Sequence, residues 1–414
     1  MKLTPDQEVA LTAINKFILA PEEKVFVLQG YSGTGKSSTL KVVLDRLPSL
    51  IKMTKLVKPD TQEYEIQLTA TTNKAAENLE SITGRSTSTI HSFLSLRVIN
   101  DYKNNTSKLL QANKDLIHNT ILFIDEASYI DSDLLKIIFS KVGNSKVIFI
   151  GDPAQLVPIK AVDAPVFKAG FPGVMLSKVV RQSKDNPITT LSTRFRKTVN
   201  SGKFFQFKPD GVNVQYLNRD AFTQLAIDKA NKSNWKYTDS KVLTWTNKAA
   251  ISANNTIRAA IQGTHHFTEG EYAICNSFIT PIKGISFKTD QLVMITEIST
   301  DALNHDVPGN YFTLNTKNNY QIFMPKTIEM RNHRIKRARK EEDYSTVREI
   351  ESSWIDLRAV YAQTVNKSQG STYDEVFIDL DDIGKCNNGN TIARMMYVAV
   401  SRARNTVYLT GDLY

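Results

Sequence analysis

The sequence has 414 residues, 41% hydrophobic and 23% charged, which excludes a disordered or fibrous chain and points to two or three folded domains. Its 52 lysines and arginines outnumber 42 acidic residues, a formal charge of +10, which suits polyphosphate or nucleic-acid ligands as readily as a basic enzyme without them. No run of about 18 apolar residues occurs, the opening MKLTPDQEVA has no apolar core of signal-peptide type, and two cysteines, Cys275 and Cys386, make neither a disulfide framework nor a zinc site. No membrane contact and a reducing, cytoplasmic setting are therefore expected.

Thr4-Pro5-Asp6-Gln7 opens a helix. Thr4 is a good N-cap, Pro5 suits the first helical position, and Gln7 stands where a capping box takes Glu or Gln. Val25–Gln29 then reads as a buried strand, Gly30–Ser37 (GYSGTGKS) as a glycine-rich loop, and Ser38–Leu47 as a helix with Leu40, Val43, Leu44 and Leu47 on one face. Strand, loop and helix in that order form a P-loop. Gly30, Gly33 and Gly35 let backbone N–H groups approach a triphosphate, Lys36 reaches its outer phosphates, and the Ser37 hydroxyl binds magnesium. A chance glycine-rich turn is the competing reading.

Glu65–Ala70 is the next strand and Asn73–Glu80 the helix after it. The junction Thr71-Thr72-Asn73-Lys74 can bond a phosphate or sugar backbone, but from this stretch alone a helix cap by Thr72 is the favoured, simpler reading. Ser88-Thr89-Ile90-His91-Ser92 carries a histidine that is either structural or functional. Residues 96–113 suit an inserted β-hairpin, with Asp101, Asn104 and Asn105 as turn formers. Ile121–Ile124 is an apolar strand ending in Asp125-Glu126, the Walker B arrangement: Asp125 for magnesium, Glu126 to polarise the attacking water. Lys146–Ile150 ends in Gly151-Asp152-Pro153-Ala154-Gln155. Strands at Val25, Leu68, Ile121 and Val147 alternating with helices predict an α/β fold with a parallel sheet and the motifs at the strands' carboxyl ends.

A second α/β unit follows from Leu176, with a helix from Pro187 to near Gly202, a strand at Lys241–Trp245 and a helix at Asn247–Ile261 closed by Gly263. Gln291–Ile298, Asn310–Asn315 and Tyr320–Met324 alternate as strands, with Lys317-Asn318-Asn319 as a turn, in a small β-rich insertion. Arg331, Arg334, Lys336, Arg337, Arg339 and Lys340 fall in a helical stretch before Glu341, Glu342 and Asp343, better read as a solvated helix with internal ion pairs than as a nucleic-acid contact. Strands at Leu357–Ala362, Glu375–Leu380 and Thr406–Thr410 resume the second α/β unit.

The order GYSGTGKS, Asp125-Glu126, GDPAQLVPI, NKSQGSTYDEVF and YVAVSRAR, with its spacing, resembles superfamily 1 helicases, most closely the 1B branch of Dda and RecD-like enzymes, across nearly the whole chain. The resemblance implies two RecA-like motor domains, 1–175 and 176–270 with 355–414, an SH3-like insertion with its basic helix at 271–354, and a strand-separating pin at 96–113. It implies an ATP-dependent DNA helicase moving 5′ to 3′, with ATP and Mg2+ as cofactors. Nucleotide contacts fall to Gln7, which in this family reads adenine, to Gly30, Ser32, Gly33, Thr34, Gly35, Lys36, Ser37 and Ser38, and to Gly370 and Arg402. Lys36, Asp125, Glu126, Gln155, Arg181 and Arg402 are the implied catalytic set, the two arginines stabilising charge on the transferring phosphoryl group; Ser37 and Asp125 are the metal ligands.

DNA contacts are implied for Thr71, Asn73, Lys74, Thr89, His91, Asn247, Thr364, Asn366 and Lys367, with Trp245 as a stacking partner. Asn366 departs from the family pattern, which has histidine before the lysine of this motif. The implied partners are single-stranded and forked duplex DNA, with a single-strand-binding or replisome protein as a further class, and the implied state is a monomer. Length and likeness suggest a phage replication or recombination helicase, working in the host cytoplasm. A P-loop switch that changes partners without moving along DNA, and a RecD-like subunit of a larger DNA-processing complex, are the alternatives.

Overall fold

The computed structural model describes residues 3–59, 62–101, 106–111, 115–158, 163–180, 186–282, 284–315 and 320–413. They divide into two compact units. One comprises Met1–Arg97, Gln111–Tyr216 and Ser368–Tyr414, and the other Val98–Leu110 and Leu217–Lys367. Among the described residues, no helix is long and apolar enough to cross a membrane.

The first unit is built on a six-stranded sheet, ordered in space Thr87–Thr89, Glu65–Ala70, Thr120–Asp125, Lys146–Gly151, Val25–Gly30, Gly173–Leu176. Every neighbouring pair is parallel. Alternation along the strands feeds two cores. Phe26, Leu28, Ile121, Phe123, Ile148 and Ile150 pack on one side with the first two helices, and Val27, Leu122, Ile124, Val147 and Phe149 on the other with Leu134 and Ile138. A sheet buried on both faces requires helices on both, and the chain supplies them. Lys146 is itself buried; its Nζ donates to the carbonyls of Phe17 (3.2 Å), Ala20 (2.5 Å) and Glu23 (2.6 Å), beside the C-terminus of the Pro5–Leu19 helix, where a cation is favoured. In the same unit Tyr373–Asp379 pairs in parallel with Ala403–Thr410, which pairs in parallel with Val214–Tyr216.

The helix after the P-loop runs Lys36–Val57, ten residues beyond the expected Leu47 and through Pro48. Leu50 and Ile51 pack against the core beyond the proline, so tertiary burial carries the helix past a residue that removes a hydrogen bond.

In the second unit Ser240–Thr244 and Ala362–Thr364 pair in parallel, and the Asn247–Gln262 helix ends on Gly263 with φ 68°. A five-stranded sheet is ordered Gln321–Pro325, Val307–Leu314, Leu292–Asn304, Tyr272–Cys275, Leu357–Ala359, with antiparallel pairings. Its fifth strand corrects one expectation: Leu357–Ala362 is not a single strand. Leu357–Ala359 joins the antiparallel sheet and Ala362–Thr364 the parallel pair. Buried Asn254 pins the break, its Oδ1 accepting from the Tyr361 (3.0 Å) and Ala362 (2.8 Å) N–H groups. The basic stretch forms the Ile328–Lys340 helix, and Arg337 pairs with Glu341 at 2.9 Å, one turn on. Residues 96–101 and 106–111 pair as a two-stranded sheet. Asn104 and Asn105, and the turn at Lys317-Asn318-Asn319, lie outside the described residues.

Candidate functional site

The carboxyl ends of the first unit's strands surround a cavity of about 270 Å³. Gly33, Lys36, Ser37, Asp125, Glu126 and Gln155 line it from the six-stranded sheet, and Gly370, Ser371, Thr372 and Arg402 from the chain near the second set of strands. Within the P-loop, Gly35 has φ 83° and is the N-cap of the Lys36–Val57 helix. That φ favours glycine, and a Cβ there would also come within 2.5 Å of Gln7 Nε2 and displace it. Lys36 Nζ donates to the Gly30 (2.8 Å) and Tyr31 (3.2 Å) carbonyls.

Gln7 closes the capping box, accepting from Thr4 N at 3.0 Å, and also donates from Nε2 to the Thr34 carbonyl at 3.0 Å. The cap and the P-loop bridge are made by the same buried amide, behind the loop rather than in the cavity.

Asp125 and Glu126 are both half-buried beside Lys36. Burial raises the Asp125 carboxyl above the ordinary carboxylate range. Burial first, and then the Asp125 charge, push Glu126 up to about 7. Glu126 holds a left-handed backbone (φ 53°, ψ 44°), uncommon for a residue with a Cβ. Two bonds to its carbonyl fix that conformation, from Thr71 Oγ1 at 3.0 Å and Tyr129 N at 3.1 Å, and its N–H donates to Asp125 Oδ1 at 2.8 Å. Glu126 Oε2 is left buried without a hydrogen-bond partner. An orphaned carboxylate oxygen beside a second carboxylate, a lysine, a serine hydroxyl and a glycine cradle is a donor set that fits a magnesium–triphosphate group.

Arg402 is buried at the C-cap of the Gly389–Ser401 helix. Its guanidinium donates to the Ser371 (3.1 Å) and Val398 (3.2 Å) carbonyls, and Nη2 lies 3.5 Å from Ser32 Oγ. Gln155 Oε1 accepts from Gln369 Nε2 at 2.8 Å. Val180 N donates to Gly33 O at 2.8 Å, bringing the chain to the P-loop one residue before Arg181, which is itself outside the described residues.

Residues 2–209, half of the chain, match the family model for an AAA domain, and residues 359–410 match the UvrD-like helicase C-terminal domain. The chain belongs to the AAA-domain family, in its superfamily 1B, Dda/RecD-like helicase branch. It is 27% identical to the ATP-dependent DNA helicase dda of Enterobacteria phage T4 across 98% of both chains. It is 33% identical to the ATP-dependent RecD2 DNA helicase of Deinococcus radiodurans over 40% of this chain and 21% of that one. Among solved structures, a Pif1 helicase studied on forked double-stranded DNA aligns with a TM-score of 0.53 at 18% identity, covering 99% of this chain and 92% of that one. A Bacteroides Pif1 helicase in complex with ADP-AlF3 and single-stranded DNA aligns at 0.50 and 16% identity, covering 100% and 93%. The fold is thus the α/β, RecA-like fold of this helicase branch.

The residues expected at DNA fall in both units. In the first, Thr71 spends its hydroxyl on Glu126, and Thr72, in the simpler of its two readings, caps the Asn73–Thr83 helix with a bond from Ala75 N at 3.2 Å. Thr89 caps the short Ile90–Phe93 helix, accepting from Ser92 N at 3.2 Å. His91 is half-buried, and its burial lowers the imidazole's proton affinity against the opposing charge of Asp131. Asn73 and Lys74 are partly exposed on the same turn.

In the second unit Asn247, Thr364 and Lys367 line one groove with Asn276, Asp290 and Arg358. Trp245 and Asn366 are half-buried and outside that lining. Lys367 Nζ donates to Asn276 Oδ1 at 2.5 Å and lies 3.2 Å from Asp290 Oδ1. Sequence reasoning missed Asn276 and Asp290, which sit in no recognised motif. It also gave no role to Asp152 or Tyr397, although both stand inside motifs it had picked out.

Proposed function

We propose that this chain is an ATP-dependent DNA helicase that moves 5′ to 3′ on single-stranded DNA and opens forked duplexes. The observation that carries the reading is the convergence of Lys36, Ser37, Asp125, Glu126, Gln155 and Arg402 on one cavity of the first unit. End-to-end similarity to an ATP-dependent DNA helicase supports the same reading.

In this mechanism the P-loop N–H groups and Lys36 bind the β- and γ-phosphates, and Gln7, from behind the loop, serves the adenine end. Ser37 and Asp125 would hold Mg2+, which would neutralise charge on the phosphates. Glu126, as a carboxylate, orients and polarises the attacking water, and its fixed backbone keeps it aimed without reorganisation. Gln155 faces the same space. Arg181 and Arg402 stabilise the negative charge of the transition state. Thr71, Asn73, Lys74, Thr89, His91, Asn247, Thr364, Asn366 and Lys367 grip the DNA backbone, with Trp245 stacking on a base. Residues 96–113 serve as the pin and the β-rich segment as the SH3-like domain.

Forked duplexes with a single 5′ or 3′ tail test the reading directly. ATP-dependent unwinding from the 5′ tail alone is the expected result. Unwinding only from the 3′ tail would overturn the polarity, and ATP hydrolysis without DNA stimulation would favour a P-loop switch.

A further inference from the structure

Beside the cleft lies a buried hydrogen-bonded link that the catalytic assignments above do not use. Tyr397 lies in the last turn of the Gly389–Ser401 helix, 2% exposed, with its hydroxyl between two motifs. It donates to Asp152 Oδ2 at 2.5 Å and accepts from the Ser32 N–H of the P-loop at 2.8 Å. Asp152 is fully buried, and its Oδ1 accepts from Ala154 N at 2.9 Å, shaping the turn that presents Gln155. Burial, followed by the Asp152 charge, holds the Tyr397 hydroxyl well above the ordinary tyrosine range, so it remains a donor.

The same helix grips that turn a second time. One turn before Tyr397, Arg394 Nη1 donates to the Pro153 (2.8 Å) and Gln155 (2.6 Å) carbonyls. One residue past the helix, Arg402 reaches toward Ser32 Oγ. A single rigid helix therefore ties the Gln155 turn to the P-loop and carries Arg402 at its end. A hydroxyl with one donor and one acceptor bond, both buried, is sensitive to small displacements, because a lost partner leaves a buried polar group unpaired.

We propose that Tyr397 is a positioning residue for ATP hydrolysis. Its hydroxyl locks Ser32 of the P-loop against Asp152, keeping Gln155 and Arg402 in register with the phosphates. The proposal rests on the ATPase reading above. It concerns the alignment of groups in the transition state rather than the binding of ATP.

The test is Tyr397→Phe in the full chain, with ssDNA-stimulated ATPase kinetics. Removing one oxygen keeps the ring's packing and leaves Ser32 N–H and Asp152 each one partner short. The expected outcome is a fall in kcat of roughly tenfold or more, with KM for ATP changed less than about threefold and nucleotide-free ssDNA affinity unchanged. Asp152→Asn, which keeps the side chain's shape, should give a similar loss. The double variant should be no worse than the poorer single, since both break one link. If Tyr397→Phe does not fold, Asp152→Asn alone decides by the same kcat-against-KM split. A wild-type kcat in the folded variants, equal shifts in kcat and KM, or additive losses would overturn the proposal while the ATPase reading stands. A wild-type chain without ssDNA-stimulated turnover would overturn both.

Discussion

In the nucleotide cleft, side chains are held through the backbone. Gly35 and Glu126 sit at positive φ, Glu126 is fixed by two bonds to its own carbonyl, and Arg402 and Arg394 are anchored on carbonyls. In the groove of the second unit, Lys367 bonds to the side chains of Asn276 and Asp290, Asn276 bonds in turn to Asp356, and Lys367 and Asp290 keep 27% and 31% side-chain exposure. Groups fixed by backbone stay in place when solvent or ligand changes. A partly exposed ion pair is worth only about 0–1 kcal/mol and yields readily to a competing charge.

The strongest way to break this contrast is Lys36→Ala. It should abolish ATP hydrolysis in a chain that still folds, because among the described residues the hydrogen bonds of Lys36 go to two loop carbonyls. Near-normal turnover in the folded variant would remove the cleft from the mechanism. Arg402→Ala comes next. Turnover should fall by roughly 10³–10⁵-fold, with nucleotide affinity far less affected, because in the proposed mechanism the arginine acts on transition-state charge. Equilibrium binding of a fluorescent nucleotide alongside single-turnover rates would separate the two effects, and a parallel loss of affinity would reassign Arg402 to binding.

The groove should respond more gently and in the opposite direction. Asp290→Asn removes the acidic competitor for Lys367 and fits the site's φ of 63°, since asparagine tolerates the left-handed region. Affinity for single-stranded DNA should rise about three- to tenfold at low salt, with a log–log salt slope steeper by about 0.7. Lys367→Ala in the same background should cancel the gain. Unchanged affinity and slope in Asp290→Asn would place Lys367 outside the DNA path.

The same contrast explains what could be read in advance. Gly30–Ser37 and Asp125-Glu126 were legible because their chemistry demands particular backbone geometry at fixed spacing, and the parallel strands because a sheet buried on both faces needs continuous apolar runs. The break at Val360-Tyr361 was not legible, since it depends on Asn254, more than a hundred residues away in sequence. The helix through Pro48 was cut short because local propensity was weighed without the core that overrides it. Asp290 carried no signal at all: it meets Lys367 only through tertiary structure. Thr71 was assigned to DNA through the family resemblance, and the bond it makes to Glu126 could not be foreseen from its type or place.

That bond has a mechanical consequence. Thr71 begins the turn that carries Asn73 and Lys74, and its hydroxyl is one of two restraints on a glutamate whose backbone sits in a sparsely populated region. Force applied to the turn by a bound strand would arrive at the Glu126 carbonyl as torque on the peptide that aims the carboxylate. In the proposed mechanism the glutamate that aims the water is thus geared to the turn proposed to grip DNA through one hydroxyl, and the throw of that gear is the length of a single hydrogen bond.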